Sequence, residues 1–206
     1  MPYIRDELRW NGWGKASVAF DFHGHEEQAW EFVRGAVGAR ELPRTPPMAL
    51  EIARLPERRL DDRALEPLAK IVGKDHVHTD RRERAFHAYG RSYHDLIRLR
   101  SGDLSCAPDA VAYPATHDEV LALLSHCAAR GIAVVPFGGG SSVVGGVTGK
   151  DSEKGRPLVS LDTTRMRRVI AVDALSRTVT AQAGIYGPDL ERELGERRLT
   201  VGHFPQ

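Results

Sequence analysis

The stretch of sequence that decides the fold is Pro136-Phe137-Gly138-Gly139-Gly140-Ser141-Ser142-Val143-Val144-Gly145-Gly146-Val147. It follows the apolar run 132–135, so a buried strand is predicted to end in a loop with five glycines and two serines. Glycine adopts positive φ easily and lets another group approach the backbone. Successive peptide N–H groups in such a loop can converge on an anion, and the serine hydroxyls add donors. The residues alone leave two interpretations, a diphosphate site and a flexible turn.

Two common phosphate loops do not match this stretch. The dinucleotide fingerprint Gly-x-Gly-x-x-Gly, counted from Gly138 and Gly140, has Val143 at its third glycine position. The ATP or GTP loop requires Ser or Thr after a Gly-Lys pair, but the pair at 149–150 is followed by Asp151. If the loop binds phosphate, it therefore belongs to another class of site.

Composition and charge narrow the class of protein. The chain of 206 residues, with 41% hydrophobic and 28% charged residues, can form one sizeable domain or one domain with an appendage. Its net charge of +1 gives no field that would attract nucleic acid. Two cysteines are too few for a disulfide framework or a four-cysteine zinc site and suit a reducing compartment. Because no apolar run approaches the roughly 18 residues of a membrane span and the start lacks a signal-peptide core, a cytoplasmic protein is expected.

Two polar clusters lie outside the loop. The run His23-Gly24-His25-Glu26-Glu27 lacks the His-Glu-x-x-His spacing that places two histidines on one helical face, so no metal site is predicted. The run Arg91-Ser92-Tyr93-His94-Asp95-Leu96 brings a hydroxyl, a phenol, an imidazole and a carboxylate within five residues. Proximity in sequence makes this second cluster a weaker candidate site than the loop.

The N-terminal half is predicted to be mostly helical and connecting. Apolar residues at helical spacing, with helix start and stop residues around them, predict three helices. They run from Glu26 to about Gly38, from Asp62 to Ile71 with Gly73 as stop, and from Arg81 to Tyr89 after a cap at Thr79 or Asp80. The stretch Leu42 to Pro47 contains three prolines and is predicted to be a linker or an extended arm.

The second half changes to strands and helices. A short strand at Asp109 to Pro114 is followed by a capping box at Thr116 and Glu119, which opens a helix ending near Gly131. The strand Ile132 to Pro136 then leads into the glycine loop. Further strands are predicted at Pro157 to Leu161, Arg168 to Val172 and Thr178 to Gln182, and a last helix runs from Gly187 through Arg198.

Motifs of the second half resemble, in their order, one family of flavoproteins. They are Pro108-Asp109-Ala110-Val111, Tyr113-Pro114, Asp118-Glu119-Val120, Val134 to Gly146, Leu161-Asp162, Arg165-Met166, Val172-Asp173, Ala183-Gly184 and Gly202 to Pro205. This series is similar to the FAD-binding domain of the vanillyl-alcohol-oxidase-type flavoproteins, over about residues 105–206. The resemblance implies an α+β fold, in which a helical N-terminal region precedes a truncated FAD-binding α+β domain of the PCMH type.

Within that family, segments from nearly the whole chain resemble the alkyldihydroxyacetonephosphate synthases. They are Arg9 to Gly14, Tyr89 to Leu96, Ser160 to Thr163 and Gly202 to Pro205. The resemblance implies FAD as cofactor, with cofactor-binding residues Pro136, Phe137, Gly138, Gly139, Gly140, Ser141 and Ser142 at the diphosphate, and Gln206 at the start of a second FAD-binding segment. Covalent members have a histidine where Ser141 stands, so FAD is expected to bind non-covalently.

The same resemblance implies a reaction and its partners. These synthases exchange the acyl group of acyl-dihydroxyacetone phosphate for a fatty alcohol, which forms the ether bond of ether lipids. Their cap domain and their catalytic C-terminal stretch have no counterpart here. The expected organisation is therefore residues 1–103 as N-terminal helical region and connecting arm, and residues 104–206 as the first half of the FAD-binding domain. No catalytic residue and no metal ligand are expected in this chain, which alone should be inactive.

Two alternatives remain beside the synthase interpretation. One is an FAD-linked oxidoreductase acting on 2-hydroxy acids, which shares the loop but less readily the Trp-Asn-Gly-Trp-Gly opening at 10–14. The other is a truncated, non-catalytic module. Lipid substrates leave peripheral membrane contact and a homodimer open, whereas no nucleic-acid partner is expected.

Overall fold

The structure is a computed structural model that describes residues 7–19, 21–43, 46–149 and 155–203. The first half of these ranges is mostly helical, and the second half contains most of the strands. The α-helices are α1 (Glu26–Val37), α2 (Asp62–Val72), α3 (Arg81–Phe86), α4 (Tyr93–Arg100), α5 (His117–Ala129) and α6 (Gly187–Gly195). The strands are β1 (Val77–His78), β2 (Ala110–Ala112), β3 (Ala133–Phe137), β4 (Leu158–Asp162), β5 (Val169–Asp173) and β6 (Thr178–Ala181). The predicted α+β class is confirmed.

A four-stranded sheet in the order β1-β2-β4-β3 organises the fold. Strands β2, β4 and β3 are parallel, whereas β1 pairs with β2 in the antiparallel direction. All five residues of β4 are buried, as expected for the strand between two parallel neighbours. Strands β5 and β6 form a separate antiparallel hairpin. The five strands predicted in the second half are thus confirmed to within one or two residues at their ends.

The two faces of β4 pack on different parts of the chain, because side chains alternate along a strand. Val159 and Leu161 join a core with α2 and α5 that includes Leu65, Leu68, Leu123 and Cys127. Asp162, on the opposite face, meets His87 just after α3. The sheet and its core therefore draw on residues from both sides of the predicted boundary at 103/104, and that boundary stays a prediction.

Side-chain caps explain where the central helices begin. Asp61, Asp80 and Thr116 each accept a hydrogen bond from the backbone N–H three residues later, at the starts of α2, α3 and α5. The capping box expected at Thr116 is modified, because the Glu119 carboxylate accepts from the N–H of Ala115, one residue before the cap.

The helix predicted from Arg81 to Tyr89 is shorter in the structure, and α4 was not expected. Helix α3 ends at Phe86 because the next residues turn away, with the carbonyls of Tyr89 and Gly90 accepting from the Arg91 guanidinium. Helix α4 starts at a capping box in which Ser92 and Asp95 each accept from the other's backbone N–H. The polar cluster 91–96 is therefore used largely to start a helix.

Helix α1 is confirmed in position, but the described residues bury none of its apolar side chains. None of its residues is buried, and Trp30, Phe32 and Val37 are exposed. The stretch 42–47 has neither helix nor strand at its described positions, while residues 44 and 45 lie outside the described ranges. None of the helices in those ranges is long and apolar enough to span a bilayer.

The buried thiol of Cys127 gives a first testable consequence of this core. Loss of hydration on burial raises the pKa of Cys127 to about 11. At pH 8 only about one such thiol in a thousand is ionised, so we expect native protein to resist thiol reagents at this position. Mass spectrometry after treatment with 5,5′-dithiobis(2-nitrobenzoic acid) would measure this, with guanidinium-unfolded protein as the control that reacts fully. Stoichiometric labelling of Cys127 in native protein within minutes would contradict the packing described here.

Candidate functional site

The glycine-rich loop leaves the carboxyl end of β3 at Phe137, beside the carboxyl end of β4. Phe137 pairs with Asp162 across the two parallel strands. Thr163, the first residue after β4, donates its N–H to the carbonyl oxygen of Phe137 at 2.9 Å. The predicted loop residues 136–142 therefore begin from a backbone position fixed by two strands. Ligands of open parallel sheets bind at this end of the strands.

Gly140 is the position in the loop where both the backbone conformation and a close contact demand glycine. Its φ is +69°, and a Cβ there would overlap the ring of Phe137. The ring is buried beneath the loop, which therefore lies directly on it. Close approach of the backbone to an aromatic ring and a positive φ are two separate reasons for the glycine.

The backbone donors of the loop are the chemical feature of the site. Across the described ranges, the N–H groups of residues 138–142 donate to no protein acceptor, although the loop directly follows strand β3, which pairs with β4. Consecutive free N–H groups around a residue with positive φ favour an anion. The Ser141 side chain is exposed, whereas the Ser142 hydroxyl accepts from the N–H of Gly146 at 3.0 Å. Ser142 thus shapes the loop, and Ser141 can face a ligand.

The wall beside the loop comes from the segment between β6 and α6. A Cβ on Gly138 would lie 3.9 Å from the carbonyl oxygen of Ala183, and one on Gly139 would lie 3.4 Å from the ring of Tyr186. Gly184 itself passes so close to the carbonyl of Thr163 that a Cβ would overlap it. The loop is therefore packed closely on one side, and within it Gly139 and Ser141 are exposed.

A buried histidine and aspartate lie under the loop. The ring of His87 is 4.2 Å from that of Phe137, and its Nε2 is 2.9 Å from the Asp162 carboxylate, with both side chains fully buried. Its Nδ1 lies 2.7 Å from the carbonyl oxygen of Glu83 and so carries a proton, because a carbonyl only accepts. The second Asp162 oxygen accepts from the N–H of Thr164. The sequence did not indicate this pair, whose members are 75 residues apart.

The other predicted positions are distributed as follows. Gln206, expected to open a second cofactor segment, lies outside the described residues. In the cluster 91–96, Tyr93 and His94 are exposed on α4, and Arg91 is buried near the loop. No group of three or more potential metal ligands is found in the part of the chain that the structure describes.

Comparison with known proteins agrees with this geometry. A family model described as "FAD binding domain" matches residues 108–206. The alkyldihydroxyacetonephosphate synthase of Trypanosoma brucei brucei is 30% identical over 217 residues, which cover 97% of this chain and 35% of that protein. A solved alkyldihydroxyacetonephosphate synthase structure superimposes with a TM-score of 0.81 at 28% identity, covering 97% of this chain and 39% of that one. The chain thus spans about a third of the length of these relatives.

A second kind of enzyme is similar over a shorter range. The mitochondrial D-lactate dehydrogenase [cytochrome] of Arabidopsis thaliana is 30% identical over 131 residues, which cover 63% of this chain and 21% of that protein. The similarity to the synthases therefore extends over more of this chain than the similarity to this dehydrogenase.

Proposed function

The chain belongs, through residues 108–206, to the FAD binding domain family, and from this premise we propose that its loop 136–142 holds the diphosphate of FAD in an enzyme of the alkyldihydroxyacetonephosphate synthase type. The single observation that carries this proposal is the row of unused backbone N–H groups at 138–142. A diphosphate is the part of FAD that such donors suit. Of the loop residues, Gly139 and Ser141 are exposed, so a ligand can reach the loop at these positions.

Each part of the site has its own task in this proposal. The N–H groups bind the diphosphate oxygens, the Ser141 hydroxyl adds a donor, and the ring of Phe137 supports the loop from below. When bound, the flavin supplies an electron sink for the exchange of an acyl group for a fatty alcohol on dihydroxyacetone phosphate. The residues described here position the cofactor, and the groups that act on the lipid substrates are expected outside this chain.

We propose that FAD is held non-covalently. Ser141 occupies the position where covalent members of the family have a histidine that bonds to FAD. A serine hydroxyl is a poor partner for a covalent bond to FAD. The nearby His87 is buried with both ring nitrogens within hydrogen-bond distance of oxygen atoms. Precipitation of the FAD-loaded protein with trichloroacetic acid should leave the yellow colour in the supernatant. Colour retained in the washed pellet would contradict this part of the proposal.

The synthase is preferred to an FAD-linked oxidoreductase of 2-hydroxy acids because similarity to it extends over more of the chain. Similarity to the synthase covers 97% of the chain, against 63% for the D-lactate dehydrogenase. Assays of the enzyme that contains this chain would separate the two, since the synthase incorporates labelled fatty alcohol and the oxidoreductase reduces an artificial electron acceptor. Acyl-dihydroxyacetone phosphate and fatty alcohol as partners, and a cytoplasmic location with peripheral membrane contact, belong to the same proposal.

The loop proposal predicts where FAD perturbs this chain. In an amide ¹H–¹⁵N spectrum, millimolar FAD should shift the resonances of residues 138–142 more than any other group of amides. A few charge-assisted hydrogen bonds, each worth roughly 1.5–3 kcal/mol before ordering costs, fall short of the roughly 8 kcal/mol of micromolar binding. We therefore expect an affinity weaker than about 1 µM.

Two controls make this titration specific. Riboflavin carries the same ring system without phosphate and should leave the loop amides unshifted. The variant Gly140→Ala should lose the FAD response, because alanine would meet both a positive φ and the Phe137 ring. Gly145→Ala is the matched control, because its φ is also positive, at +75°, but nothing lies within 4 Å of its Cβ. Loop shifts of equal size with riboflavin, or the largest shifts elsewhere, would contradict the assignment, and saturable sub-micromolar binding would contradict the expected affinity.

A further inference from the structure

A buried arginine connects the loop with the N-terminal turn. Arg91 is only 5% exposed. Its backbone N–H donates to the carbonyl oxygen of Ser142, at the end of the loop, at 2.7 Å. Its Nε donates at 3.0 Å to the carbonyl oxygen of Gly12, which is 79 residues away in the sequence. One residue thus contacts both the loop and the turn that contains Trp10 and Trp13.

The guanidinium is bound by carbonyl oxygens and not by a carboxylate. Besides Gly12, its Nη1 donates to the carbonyls of Gly90 at 2.9 Å and Tyr89 at 3.3 Å. Among the described residues no carboxylate lies within ion-pair distance of it, since Asp95 pairs with Arg98 and caps α4. Burial lowers the pKa of Arg91 to about 10, and Asp95 opposes this shift. The positive charge is therefore buried without a contacting counter-charge, an arrangement that is costly unless an anion comes near.

The side chain of Arg91 also belongs to the layer that supports the loop. Its guanidinium lies over the ring of Phe86, 5.3 Å from the centroid, and that ring is 5.9 Å from the ring of Phe137. Phe137 in turn lies under Gly140. The backbone of Gly90, next to Arg91, also lies directly against the loop, because a Cβ on Gly90 would overlap the carbonyl oxygen of Ser142. A shift of Arg91 would therefore act on the loop at two places: at Ser142, through the backbone hydrogen bond, and at Gly140, through the rings of Phe86 and Phe137.

The turn at 10–14, which accepts a hydrogen bond from Arg91, is held together by its own backbone pairing. Leu8 and Lys15 pair across it, and the N–H of Arg9 donates to the carbonyl oxygen of Gly14 at 3.0 Å. Trp10 packs against the core that contains Tyr89. A closed turn of this kind presents its Gly12 carbonyl in a fixed direction, which suits a partner that must hold the guanidinium in one orientation.

We propose that Arg91 is a positioning residue for the diphosphate loop, which it fixes to the turn at 10–14 and beside which it holds a positive charge for a diphosphate-bearing ligand. The role rests on the proposed function of the loop. It assigns a task to two segments, 10–14 and 89–92, that contain no expected cofactor contact. It also predicts that the turn and the loop respond together when the arginine is changed.

The test compares Arg91→Met, which keeps the length of the side chain without its charge, with Arg91→Lys, which keeps the charge but not the planar fork. In Arg91→Met we expect faster hydrogen exchange at the amides of residues 138–142 without ligand. We also expect about tenfold weaker binding of FAD in the amide titration, as for the loss of one charge-assisted interaction. Arg91→Lys should recover part of the FAD affinity. Arg98→Met is the matched control, because Arg98 also lies over an aromatic ring, that of Tyr89, but is half exposed and not bonded to the loop.

The outcomes separate this inference from the function on which it rests. Unchanged loop exchange and unchanged FAD affinity in Arg91→Met would overturn it, as would a loss of thermal stability with the FAD affinity intact, which indicates a purely structural role. If Arg91→Met does not fold, Arg91→Lys decides: loop exchange and affinity equal to the parent protein would overturn the inference. If FAD shifts no loop amide even in the parent protein, the proposed function fails. In that case the hydrogen-exchange measurement still tests whether Arg91 fixes the loop to the turn at 10–14.

Discussion

Replacing Gly184 with alanine is expected to destabilise the protein by about 3 kcal/mol, because the new Cβ would overlap the backbone carbonyl of Thr163. The two segments cannot separate easily. The N–H of Gly184 donates to the carbonyl of Met166 at 2.9 Å, and that of Met166 donates to the carbonyl of Thr163 at 2.7 Å. Urea denaturation followed by circular dichroism would measure the loss. Since Thr163 also holds Phe137, the FAD response of the loop should weaken in the same variant.

Gly187→Ala is the matched control, three residues further along the chain. Nothing lies within 4 Å of a Cβ at Gly187, its φ is not positive, and it is the first residue of α6. Alanine there should leave stability within about 0.5 kcal/mol of the parent protein or raise it slightly. Equal stability of the Gly184 and Gly187 variants would show that the close approach at Thr163 is not real.

Removal of the imidazole of His87 is the second large effect we expect. In His87→Phe the Asp162 carboxylate stays fully buried but loses its partner at 2.9 Å. Removing one partner of a buried, hydrogen-bonded carboxylate costs up to about 3–5 kcal/mol, because the carboxylate oxygen that faced Nε2 loses its donor. The measured quantity would be the free energy of unfolding in urea. The phenyl ring conserves volume, so the cost reports on the polar interaction more than on packing.

Two further variants show whether charge is the cause. His87→Phe combined with Asp162→Asn should be more stable than His87→Phe alone, since the uncompensated charge is gone while the amide oxygen can still accept from Thr164. Lys70→Met removes an exposed ion pair with Glu66, at 2.8 Å on α2, and should leave stability nearly unchanged because water screens exposed pairs. Additive losses in the double variant would contradict this explanation.

Local signals predicted much of the fold. Apolar runs bounded by glycine and proline located β2 to β6, and capping residues at Asp80 and Thr116 located the starts of α3 and α5. Both kinds of signal depend on neighbours within a few residues, which a sequence shows directly. The same holds for the loop, because a cluster of glycines after an apolar strand marks a backbone open to a ligand. Ser92 and Asp95 carry such a signal for α4, but the same residues also fit a polar cluster, and the sequence does not decide between the two.

Long-range contacts were not predictable in this way. His87 and Asp162 are 75 residues apart, and Arg91 and Gly12 are 79 apart, so nothing local pairs them. The early end of α3 follows from such contacts, since residues 89–91 leave the helix to reach Ser142 and Gly12. The helical spacing of α1 predicted an apolar face correctly but could not tell whether anything covers it.

The antiparallel edge strand β1 affects where a fragment of this protein should begin when it is expressed by itself. A fragment that began at Pro108, where the family match begins, would lack β1 and α2. It would also expose the α2-facing side of β2 and β4 and leave β2 with an unpaired edge, which favours self-association. A fragment that keeps this core complete must therefore start upstream of Leu60, the first residue of that core. The stretch that the family model matches and the stretch that completes the core are different lengths of the same chain.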